Sequence, residues 1–327
     1  MMRRLDSNKK HTAPAAVLAV ARVVAIAIAL VPAVAQAAGP AWAYPVADAV
    51  QPTLDQNEPR RVPGSALTYP RKEVDDLFNP PIWFPERSVG MPRVVQYGAP
   101  PGVRACAACH LASGQGHPES GHIAGLPVGY FKQQIADYRA GTRIDPVWMT
   151  KMSAALSDSD VEAAARWFAA VQPMPWVKVV ETDTVPRSWF NKSRKRLPTA
   201  DGATEPLGNR ITEFPQDVQR VLDRDPTAGF VAYVPKGSVA KGAVLAGGGA
   251  APGKTVACVA CHGAALKGAG DVPRIAGVSP LYTVRQLHAF KDGTRRGLHA
   301  AQLSAVVANL DGDDITAIAA YLASLPP

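Results

Sequence analysis

Cys106-Ala-Ala-Cys109-His110 and Cys258-Val-Ala-Cys261-His262 hold all four cysteines of the 327-residue chain and lie 152 residues apart. The offset persists downstream. Ile123-Ala-Gly125 returns as Ile275-Ala-Gly277, Tyr130 as Tyr282, and Ala140-Gly-Thr-Arg143 as Asp292-Gly-Thr-Arg295. It becomes 154 at the last element, where Leu156-Ser-Asp-Ser-Asp160 answers Leu310-Asp-Gly-Asp-Asp314. Self-similarity of this kind means two copies of one domain, with a unit of roughly 70 residues that is too long for a solenoid.

Each copy reads as helical. Tyr130, Gln134 and Tyr138 stand four apart and share a helix face, and Gly141 ends that helix as Gly293 ends its counterpart. Ser157 caps the next helix, with Asp158 and Asp160 at its positive end, and the helix runs to about Val171. The matching helix is Asp313 to Leu325. Both closing helices are amphipathic and need a large body to pack against.

Two cysteines at this spacing on a helix can each add to a vinyl group of one haem, and the adjacent histidine then supplies the proximal iron ligand. Cys106, Cys109, Cys258 and Cys261 are therefore candidates for covalent attachment of two haems c, with His110 and His262 as axial ligands. The competing readings are a redox dithiol, half a zinc site, or two local disulfides. Zinc wants four converging ligands, whereas each cluster sits in its own repeat. A thioredoxin-like dithiol wants a βαβ context, and this one is helical.

Arg3, Arg4, Lys9, Lys10 and Arg22 precede a 13-residue apolar run, Val23 to Ala35, followed by Gln36-Ala37. This is the pattern of a secretory signal peptide cut after Ala37, or less favourably after Ala43, since a membrane-spanning helix takes about 20 residues. An uncleaved anchor is the lesser alternative, because Ala13 to Val20 is also apolar. Removing residues 1–37 leaves 30 basic and 26 acidic residues, a net charge of +4 that does not argue for nucleic acid. No later segment could span a membrane. The 30 prolines crowd into 40–101 and 173–235. The expected organisation is a signal peptide (1–37), a Pro-rich arm (38–101) wrapped on the first domain, domain 1 (102–172), a folded connector (173–235) and domain 2 (236–327). Trp176–Glu181 and Asn209–Phe214 are candidate strands of the connector. The charged run Arg187 to Arg196 reads as a solvated face able to steer an acidic partner. His117 and His122 read as exposed or structural.

Over residues 106–171 and 258–325, less than half of the chain, the sequence resembles the dihaem class I cytochromes c of the bacterial periplasm. The matching pieces are C-A-A-C-H, then I-A-G-L-P…Y…Q…G-T-R, then Met149-Thr-Lys-Met152-Ser-Ala-Ala-Leu156-Ser-Asp158. The resemblance implies a mainly α fold of two tandem class I cytochrome c domains, here joined to the arm and the long connector. In that family the distal ligand is a methionine seven residues before the leucine of the L-S-D helix start. By this match it is Met149, with Met152 packing nearby. Met149 also lies 39 residues after His110 on a loop entering the last helix, where a thioether suits haem iron. The second copy differs. Counting back seven from Leu310 reaches Leu303, and no methionine follows Met174. His299, 37 residues after His262, is the local candidate for that distal position; the alternative is an open site.

The expected function is electron transfer by a secreted, periplasmic dihaem cytochrome, between a periplasmic or membrane-bound dehydrogenase on one side and an oxidase or reductase on the other. The alternative is a redox enzyme acting on peroxide, a sulfur compound or a small gas at a second haem that lacks a methionine. A third reading is a module docked permanently to a larger enzyme through the arm and connector.

Overall fold

The computed structural model describes residues 39–44, 46, 52–249 and 252–327, and the expected signal peptide lies outside the described residues. The N-terminal segment carries a short antiparallel pair, β1 (Pro59–Arg60) and β2 (Tyr69–Pro70), then α1 (Arg71–Val74) and α2 (Arg93–Tyr97). Prolines position these helices: Pro70 and Pro92 precede α1 and α2 in extended conformation, and Gly98 turns the chain out at positive φ.

The first repeat follows as α3 (Cys106–His110), α4 (Val128–Arg139), α5 (Met149–Ala155) and α6 (Asp158–Ala170). Ser157 Oγ accepts the Asp160 N–H at the head of α6, and Gly141 takes a left-handed φ of 67° beyond the end of α4. The core joins α2, α3 and α6 through Val94, Val95, Ala107, Ala164 and Phe168, with Phe131 of α4 stacked on Phe168 at 6.3 Å. Helix α2 thus closes the first repeat although it falls inside the Pro-rich arm. Nor does the arm wrap the first repeat alone: Ala43 is buried in the core of the second, where its carbonyl accepts from Arg285 at 2.9 Å.

The connector is built of short strands. These are β3 (Val177–Glu181), β4 (Thr184–Pro186), β5 (Ser188–Phe190), β6 (Arg196–Pro198), β7 (Thr204–Pro206), β8 (Thr212–Pro215) and β9 (Phe230–Val234), with α7 (Val218–Leu222) before the last. Strand β9 pairs in parallel with β3, from Val177–Phe230 to Glu181–Val234, and antiparallel with β8. Phe230, Ala232 and Val234 alternate inward along β9, as the two-residue period of a strand requires. Hairpin-like pairs β4–β7 and β5–β6 complete it. Helix dominates the two repeats, whereas 177–234 is rich in strand.

The second repeat comprises α8 (Ser238–Ala246), α9 (Val259–His262), α10 (Pro280–Lys291), α11 (Ala300–Val307) and α12 (Gly312–Ser324). Asp311 and Asp314 form a reciprocal capping box at α12. Helix α8 lies directly on α12 at Gly242, where any Cβ would strike the Ala317 carbonyl, so this crossing admits only glycine. Among the described residues no helix is long and apolar enough to cross a membrane.

Candidate functional site

Helix α3 sets Cys106 and Cys109 three apart, with His110 one turn after Cys106, so the three share one face. Burial pushes the Cys106 thiol up to about 12 and raises Cys109 as well. Thiols held protonated in this way are poor redox nucleophiles. His110 Nδ1 lies 2.6 Å from the Gly121 carbonyl oxygen. A carbonyl can only accept, so Nδ1 carries the proton and the lone pair is left on Nε2. Burial lowers His110 to about 4, which keeps the imidazole neutral and able to bind a metal.

The chain closes a tight loop behind this histidine. Gly116 N–H donates to the His110 carbonyl, and the amides of Ile123 and Ala124 both donate to the Gly114 carbonyl. Gly114 has φ +66°, and a Cβ there would sit 2.9 Å from the Ala124 nitrogen. The second repeat builds the same frame 152 residues on. His262 Nδ1 donates to the Pro273 carbonyl at 2.7 Å, Gly268 N–H to the His262 carbonyl, and the amides of Ile275 and Ala276 to the Leu266 carbonyl. Burial lowers His262 too. Leu266 holds the positive φ that Gly114 holds in the first copy. None of the four cysteines is in a disulfide. Among the described residues no three His, Cys, Asp or Glu side chains converge as a metal cluster.

Met149 is the first residue of α5 and is half-buried. Its amide, with those of Val147 and Trp148, donates to Asp145 Oδ2 at 2.5–3.2 Å, which fixes the loop that presents it. Met152, one turn on, is buried. At the corresponding place in the second repeat, His299 precedes α11; it is exposed, has φ 70° and makes no capping bond. Leu303 lies inside α11, half-buried.

Tyr130, Gln134, Arg143 and their counterparts, far apart in the sequence, meet in the fold. Arg143 donates to Gln134 of its own repeat and to Tyr282 and Gln286 of the other, at 2.7–3.0 Å. Arg295 donates to Gln286 of its own repeat and to Tyr130 and Gln134 of the other, at 2.7–2.9 Å. The two arginines also face each other in an antiparallel bridge. The result is a two-fold arrangement within one chain. Both guanidinium groups are buried, and among the described residues neither pairs with a carboxylate. Arg274, next to the carbonyl that holds His262, is buried with Nε and Nη2 unpartnered, and burial lowers it to about 10. Buried guanidinium groups with spare donors suit carboxylates, and a haem carries two as its propionates. The cysteine pairs, neutral imidazoles and spare guanidinium donors therefore fit haem c.

One sequence-based expectation changes, and the reading of two histidines as exposed or structural narrows to structural. Lys195, inside the run read as solvated, is buried, and Arg224 of the turn after α7 acts on it electrostatically. His117 is buried and its Nδ1 lies 3.1 Å from Glu119 Oε2. His122 is buried edge-on to Tyr282, with its Nδ1 unpartnered.

The cytochrome c family profile matches residues 250–326, the second repeat. A thiosulfate dehydrogenase electron acceptor of Stutzerimonas stutzeri is 29% identical over 70% of this chain and 83% of its own length. Cytochrome c-554(548) of Halomonas halodenitrificans is 39% identical over 20% of this chain and 82% of its own length. The solved thiosulfate dehydrogenase of Marichromatium purpuratum aligns over 69% of this chain at 29% identity with a TM-score of 0.47, and the alignment spans 37% of that longer chain. With an attachment motif on a short helix, a proximal imidazole fixed by a carbonyl, and a relative matched over most of its length at 39% identity, the chain belongs to the cytochrome c family.

Proposed function

We propose that the mature chain is a periplasmic dihaem electron-transfer protein that accepts electrons from a dehydrogenase acting on a reduced sulfur compound. The observation that carries this reading is the repeated frame: C-x-x-C-H on a short helix, twice, each histidine locked by a carbonyl 11 residues downstream. Residues 102–172 and 236–327 are the two haem-carrying domains, 38–101 the arm and 173–235 the connector, after removal of 1–37. The donor class follows from the relative named as an electron acceptor of thiosulfate dehydrogenase.

Bound haem c supplies a one-electron iron couple. The chain's own groups do the rest. Cys106 with Cys109, and Cys258 with Cys261, hold the group covalently, while His110 and His262 give each iron a neutral imidazole. Met149 completes the first site and raises its potential. His299 is the group offered to the second. Arg143 and Arg295 tie the repeats together and hold positive charge between them.

A pyridine haemochrome assay on the secreted protein should give two haems c per chain, and Cys106→Ala with Cys109→Ala should leave one. One haem or none in the unmodified protein defeats the proposal. Stopped-flow mixing with a thiosulfate dehydrogenase and thiosulfate should reduce the protein, and a two-haem protein that stays oxidised removes the proposed donor.

A further inference from the structure

The connector brings two cations to the first attachment site, and among the described residues it brings none to the second. Arg224 is 8% exposed and has φ 56°; it donates from Nε to the Val74 carbonyl at 2.6 Å and from Nη1 to the carbonyl of Ala108, inside the C-x-x-C-H helix. The turn that carries it is pinned. Asp223 accepts from Arg60 at 2.9 Å, Arg71 at 2.8 Å and Gln219 at 3.0 Å, and its carbonyl accepts from Trp83 Nε1 at 2.8 Å. Arg224, then Arg104, then Lys195, itself 5% exposed, draw the Cys109 thiol down against the larger effect of burial, and Asp145 opposes them.

At the second site the buried cation is Arg274, beside the carbonyl that holds His262, and among the described residues no cation acts on Cys258 or His262 themselves. Cys258 is influenced by burial, its own backbone and Cys261, and His262 by burial and the Pro273 carbonyl. Its motif helix leaves Val259, Ala260 and Cys261 exposed, where Ala107 and Ala108 are covered. Each buried cation carries a desolvation cost. A positive charge in a low-dielectric site does favour adding an electron to a neighbouring group.

We propose, on the dihaem reading above, that the connector sets a potential: Lys195 and Arg224 hold the group bound at Cys106, Cys109 and His110 towards its reduced state, making that site the electron sink of the chain. Lys195 also makes the effect depend on pH. Burial, then Arg224, lower it to about 8, while Glu119, the Cys109 sulfur and Asp75 raise it; His117 also faces it from the loop after α3. Below that pH the cation is present and reduction is favoured; above it the cation is lost.

The test is a redox titration of the two-haem protein, followed through the separate EPR signals of the ferric sites. Lys195→Met should shift the oxidised-to-reduced ratio of the first site at fixed potential by on the order of tenfold towards oxidised, 59 mV for one electron, and leave the second unmoved. Lys195→Arg should keep the wild-type value and abolish its fall near pH 8. Arg224→Lys, which retains the charge, should fold and titrate as wild type, whereas Arg224→Gln should shift the first site in the same direction as Lys195→Met. An unshifted first site in Lys195→Met, or equal shifts at both sites, overturns the proposal. A haem count below two overturns the dihaem reading instead, and this proposal with it.

Discussion

Glu213 ties the connector to the second repeat, and its ionisation should be visible in the stability of the whole protein. It sits in β8 at 1% exposure, where Oε1 accepts from Ser279 Oγ at 2.6 Å and from the Leu281 amide at 2.8 Å, at the head of α10. Oε2 is buried with no partner. Burial, the largest influence, raises the carboxyl from 4.5 to about 7 despite those two bonds. The folded protein thus keeps a proton that the unfolded chain has already released. The stabilisation is complete below about 4.5 and is lost as pH rises through about 7. At about 1.4 kcal/mol per unit the loss is roughly 3 kcal/mol. Glu213→Gln keeps the acceptor and removes the titration. Urea unfolding of haem-loaded wild type and variant from pH 4.5 to 8.5 should show their difference changing by about this amount, in favour of the variant at high pH. Buried His117 and His122, both lowered, act in the opposite sense but are common to both proteins and cancel. A difference that stays flat across this range refutes the argument.

Met149→Ala should abolish the sulfur-to-iron charge-transfer band of the oxidised protein while Met152→Ala keeps it and costs about 2–5 kcal/mol of stability, as buried methionines do; a band that survives loss of Met149 defeats the ligand assignment. The second site should show no methionine signal, and the reduced protein should bind carbon monoxide rapidly only after His299→Ala. Rapid binding to the unmodified protein means an open site and restores the enzyme reading. Asp223→Ala strands Arg71, its buried partner at 2.8 Å, and should cost about 3–5 kcal/mol in denaturant unfolding. A cost under about 1 kcal/mol shows that the arm is not anchored there.

What the sequence shows well is local. Ser157 and Gly141 mark helix ends because a side-chain oxygen can reach an amide three residues on, and glycine tolerates positive φ. The C-x-x-C-H pattern is local for the same reason. Lys195 is the opposite case. A run of basic residues is usually a solvated face, and Lys195 is buried among groups far from it in sequence, Arg224, Glu119 and Asp75. The cross-repeat bonds of Arg143 and Arg295 depend on how two copies dock, which no single copy encodes. Helix α2 has five residues and the connector strands β4 to β7 three each, too few for a period to register.

The place where the repeat breaks down is informative. Everything that orients the proximal imidazole keeps the 152-residue offset: the histidine, the accepting carbonyl, the closing amides and the bridge at His117–Ser120, matched at Ala269–Val272. These contacts fix the orientation of the histidine that each copy would offer to iron on the proposed reading, so both copies keep them. The distal loop and the outer face of the motif helix do not repeat. Leu303 stands where the first copy has Met149, exposed Val259 where it has buried Ala107, and Arg274 where it has His122. Distal ligation, burial and nearby charge are the means by which a protein sets a haem's potential. On the proposed dihaem reading, the two sites share the contacts that make a cytochrome and differ in those that make one site unlike the other, as directed electron flow between them would require.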